Sequence, residues 1–184
     1  NYDYKDVHLT ILASTSDDNP NVAEVAAEYF VMKGQEKDAA RYKAAMKDCK
    51  SWQAKTRMAE AANKNTTSMF SSAKTALQNE IKAALGAAKD PYEKAAWLKA
   101  WSSELRNFES IPKYTLPDQP IPVRTQAVTC LIDACRDKNF DAYFAGEGYL
   151  IKAQIGGYLA TAMKSGDPGI IALIAGAISD PKTG

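Results

Sequence analysis

Between Ile111 and Pro122 the chain carries four prolines, Pro112, Pro117, Pro120 and Pro122. Each lacks an amide donor and pushes the residue before it away from the α region, so neither a helix interior nor a central strand can run through the stretch. The segment is expected to be a stiff, extended connector, with Tyr114, Leu116 and Ile121 draped over neighbouring helices. Composition changes at the same place. Residues 1–110 hold 21 of the 31 alanines and 31 of the 45 charged residues, whereas residues 111–184 hold nine of the eleven isoleucines and eight of the ten glycines. The expected organisation is a charged, alanine-rich helical bundle with an N-terminal arm over residues 1–110, the connector over 111–122, and an apolar helical subdomain over 123–184.

Periodicity supports one class. No pair of alternating apolar runs is joined by a hairpin turn, and no glycine-rich phosphate loop follows a strand. The fold is expected to be all-α, a bundle of six to seven helices ending in an apolar helical hairpin. Residues 2–13 read as an arm or a short helix, and Ser14–Pro20 as a loop. Helices are expected over Val22–Lys33, ended by Gly34, and over Glu36–Ala62, with Tyr42, Ala45, Met46, Cys49 and Trp52 on one face. Thr66 or Thr67 is placed to cap a third helix ending near Gly86, unless the second and third are continuous. The clearest start signal is Asp90 at the N-cap with Pro91 and Glu93 following, ahead of Trp97, Leu98, Trp101, Leu105 and Phe108. Further helices are expected over Val123–Lys138, Tyr149–Met163 and Pro168–Ser179, the last capped by Asp167. Ala27, Phe30, Gly34 and Ala39 resemble positions of one tetratricopeptide repeat, over about 30 residues; Tyr42 falls one place early and no second copy follows, so a helical hairpin with a glycine turn accounts for them.

Several chemistries lack their parts. The one histidine, His8, has no partner nearby in sequence for nucleophilic catalysis or a zinc site. Cys49, Cys130 and Cys135 have no CxxC spacing, and the last two lie about 140° apart around a helix, poor geometry for a bridge; all three read as buried thiols. Asn65-Thr66-Thr67 matches a glycosylation sequon inside a helical pattern. Asp133, Asp137 and Asp141, with Glu147 further on, recur at a spacing that would line one face of a continuous helix and attract a hard cation, but Arg136, Lys138 and the break expected at Asn139 favour a solvated face. No catalytic group, metal site or cofactor is implied. No apolar run reaches the roughly 18 residues of a spanning helix and no secretory leader is evident, while a chain beginning at Asn1 leaves its compartment undecided.

Two surfaces stand out. Lys43, Lys47, Lys50 and Arg57 fall within about 60–80° of arc on the expected second helix. From Lys33 to Lys64 there are nine basic and four acidic residues, a local excess of five in a chain of net charge +1. Such a stripe either solvates an amphipathic helix or contacts nucleic-acid phosphates. The other surface is Gly169–Ile178, apolar on every side, with Ala172, Gly176 and the Gly156-Gly157 pair expected to let something pack tightly. It reads as core or as an interface using Ile170, Ile171, Ile174, Ile178, Tyr158 and Leu116. The expected function is that of a non-enzymatic structural or scaffolding protein working through helix-mediated self-assembly or partner binding. The alternative is a nucleic-acid-binding or packaging subunit.

Overall fold

The structure, a computed structural model, describes residues 10, 11, 13, 14, 17–33, 39–64 and 74–180. The fold is all-α, with no strand among the described residues. It divides into two compact units, Asn1–Ala88 and Lys89–Gly184. The proline-rich stretch therefore lies inside the second unit. His8, Gly34 and the Asn65–Thr67 sequon with its expected caps lie outside the described residues.

The first unit contains α1 (Pro20–Lys33), α2 (Ala39–Asp48), α3 (Trp52–Lys64) and α4 (Lys74–Ala87). Helix α1 starts earlier than its apolar pattern suggests, because the Asn19 side chain accepts from the Asn21 amide at 3.0 Å and Pro20 occupies a first-turn position needing no donor. Alanines then let α1 and α3 approach closely: Ala23 is packed with Cys49 and Ala54. Leu77, Ile81 and Leu85, four apart, form the buried row of α4, which packs on α3. The single helix expected over Glu36–Ala62 is in fact two, separated at Cys49–Ser51. Ser51 is the cause. Its hydroxyl accepts the Ala54 amide at 3.3 Å and donates to Gln53 at 2.9 Å, an N-cap that restarts the helix.

The second unit is built around α6 (Ile121–Arg136), preceded by α5 (Pro91–Ser102) and followed by α7 (Phe140–Tyr143), α8 (Gly148–Met163) and α9 (Pro168–Ser179). Asp90 caps α5, accepting from the Tyr92 and Glu93 amides at 2.8 and 3.0 Å. The aromatic face continues past this helix, but as a 3-10 turn over Leu105–Ser110. Trp101 Nε1 donates to Ser110 at 2.7 Å and Asn107 donates to the Trp101 carbonyl at 2.9 Å, which folds the chain back at that point. Phe108 then meets Phe144 edge-on at 5.7 Å.

The expected extended connector is wound instead. Pro112–Thr115 form a second 3-10 turn, and α6 begins at Ile121. Pro112 and Pro122 stand in first turns, where amides have no intrahelical acceptor and a proline forfeits nothing. Ile111 and Thr115 are buried, whereas Leu116 and Ile121 are exposed. Helix α6 contacts α5, both 3-10 turns, α7, α8 and α9, which explains why buried side chains occur on several of its faces.

Candidate functional site

Four residues of α6 spaced four apart, Arg124, Val128, Ile132 and Arg136, form one ridge. Against this ridge lies α9. Ile170 and Ile174, fully buried, pack with Val128, Ile132 and Ala162 in one core cluster. Burying each large aliphatic side chain stabilises by about 1.5–3 kcal/mol. The ridge ends are polar. At the first, Arg124 donates to the Thr115 carbonyl at 3.4 Å and to the Ser165 hydroxyl, with the Asp167 carboxylate 3.9 Å away. At the second, Arg136 pairs with Asp180 at 3.0 Å. Asp167 precedes α9 and Asp180 follows it, so α9 runs parallel to α6 with each end held by an arginine.

Asp167 also caps α9, accepting the Ile170 amide at 3.0 Å. Both charges flanking this helix are thus turned inward. Pattern reading finds the cap from Asp-Pro at the start of an apolar run. It misses Arg124, only 5% exposed, because an arginine among polar neighbours in a first turn gives no sign of being buried.

The outward side of α8 and α9 is different. Tyr149, Leu150 and Ile178 are 69%, 54% and 72% exposed. These two helices carry one charged side chain, Lys152, which is 39% exposed and paired with Asp141 at 3.5 Å. Gly156, Gly157 and Gly176 also face outward. A Cβ added at any of them would meet nothing within 4 Å. The tight approach expected at these glycines is therefore not made inside the unit, and occurs at Gly148, where a Cβ would lie 2.9 Å from the Asp141 Cα.

No family model, curated protein or solved structure matches this chain. What the α8–α9 face can do follows from its own chemistry.

The sequence-derived interface residues thus separate. Ile170 and Ile174 belong to the core, Ile171 and Tyr158 are half-buried, and Ile178 and Leu116 are exposed. Gln154 donates to the Tyr158 hydroxyl at 2.9 Å. The basic residues separate as well, since the break at Cys49–Ser51 leaves no single helix to align them. Lys43 lies on α2 with its side chain outside the described set, and Lys47 is exposed. Lys50 lies 3.6 Å from Asp18, while Arg57 is held by Glu24 at 2.8 Å and Glu60 at 3.5 Å.

The three aspartates do not share a helix face. Helix α6 ends at Arg136, Asp137 accepts the Asn139 amide, and Asp141 pairs with Lys152 at 3.5 Å. Among the described residues no group of three or more His, Cys, Asp or Glu side chains is arranged to hold a metal, and no helix is long and apolar enough to cross a membrane. Cys49 and Cys130 are buried thiols; Ser102 donates to Cys130 Sγ at 2.9 Å. Burial pushes the half-buried Cys135 thiol up, and Lys152 opposes this. In the first unit an open groove of about 490 Å³ is lined by Ile11, Val22, Val25, Ala26 and Tyr29, with Ser14 and Asn21 at its polar points.

Proposed function

We propose that this chain is a non-enzymatic structural protein whose second unit binds another protein chain through the outward face of α8 and α9. The supporting observation is that these helices expose Tyr149, Leu150 and Ile178, while the one charged side chain on either of them, Lys152, is 39% exposed and paired with Asp141. Large apolar side chains in a charge-poor surround characterise the centres of protein interfaces. A face that met only water would gain solubility from lysine or glutamate at Ala153, Ala160, Ala172 or Ala175, where a long side chain fits as well as a short one. The nucleic-acid alternative has less support, since Arg57 already serves two carboxylates and Lys50 has Asp18 beside it.

The test is the native mass of the protein isolated from its source, beside a Leu150→Lys/Ile178→Lys variant expressed there. An assembly present in the first and lost in the second, with helical content unchanged, is expected. A protein that is monomeric and free of other chains in its source would overturn the proposal.

A further inference from the structure

We draw no further inference here: the strongest candidate, the open apolar groove of the first unit lined by Ile11, Val22, Val25, Ala26 and Tyr29, carries none because nothing in the structure shows what covers it.

Discussion

Arg136 and Asp180, 44 residues apart in sequence, are joined at 3.0 Å where the last turn of α6 meets the end of α9. Twelve residues earlier on α6, Arg124 stands beside Asp167 at the other end of α9, so the helix is bracketed by two arginines of one neighbour. The brackets differ in surroundings, since Arg124 is buried and the Arg136–Asp180 pair is about one-third exposed.

That difference predicts unequal losses. Arg124→Met strands the Thr115 carbonyl and Ser165 hydroxyl in a buried site and is expected to lower unfolding free energy by about 2–4 kcal/mol. Asp180→Asn, in a solvent-screened pair, is expected to lower it by about 1 kcal/mol or less. Urea denaturation of both variants checks the ordering, and equal losses would contradict it.

Two isoleucines one helical turn apart should behave oppositely. Ile174→Ala leaves a cavity among Val128, Ile132 and Ala162 and is expected to cost about 2–5 kcal/mol. Ile178→Ala, at an exposed position, should leave the dilute monomer within about 0.5 kcal/mol of the parent. Thermal melting at low concentration separates the two.

Glycines of α8 are also distinguishable. Gly148→Ala drives a methyl group to 2.9 Å from the Asp141 backbone and is expected to destabilise by about 1–3 kcal/mol. Gly156→Ala meets nothing and is expected to stabilise by about 0.5–1 kcal/mol. A stabilising Gly148→Ala would refute the close α7–α8 packing.

At Cys135 the pH dependence has a definite sign. Burial keeps the folded thiol protonated above its ordinary value of 9.0, with Lys152 opposing. The folded state then binds more protons than the unfolded one once pH exceeds that value. The contribution is fully present below pH 9.0 and is lost as pH rises through the higher folded value. Unfolding free energy measured from neutral to alkaline pH should therefore fall less steeply in Cys135→Ala. An identical slope in both proteins would show that the thiol contributes nothing.

Ser51 provides a local test. Ser51→Ala removes the cap that starts α3 and is expected to cost about 0.5–2 kcal/mol, with helical content falling near Trp52. Hydrogen exchange of the Ala54 amide, which the serine holds at 3.3 Å, should accelerate.

Much of this molecule is set by short-range chemistry and can be read directly. Asp90 with Pro91, and Asp167 with Pro168, mark helix starts because cap and first-turn proline act within three residues. The all-α class follows similarly from apolar spacing. Ser51 and Asn19 carry the same kind of signal, but in stretches where an apolar stripe or a polar run draws attention elsewhere. The four prolines leave two geometries open, since proline suits a first helical turn as well as an extended chain. Only the packing of Ile111 and Thr115 beside α6 selects the wound form.

The sequence by itself determined the helical class, the caps, and an apolar α9 too short to span a bilayer. Tertiary structure alone decided which isoleucines of α9 are core and which are surface, because a helix apolar all round has no periodicity to orient it and only the α6 ridge supplies a direction. It alone buried Arg124, whose acceptors lie on segments 9 and 41 residues away. The outward glycines were equally undecided beforehand, since a glycine marks a place where something can come close, and only the assembled neighbours reveal whether the chain itself has filled it.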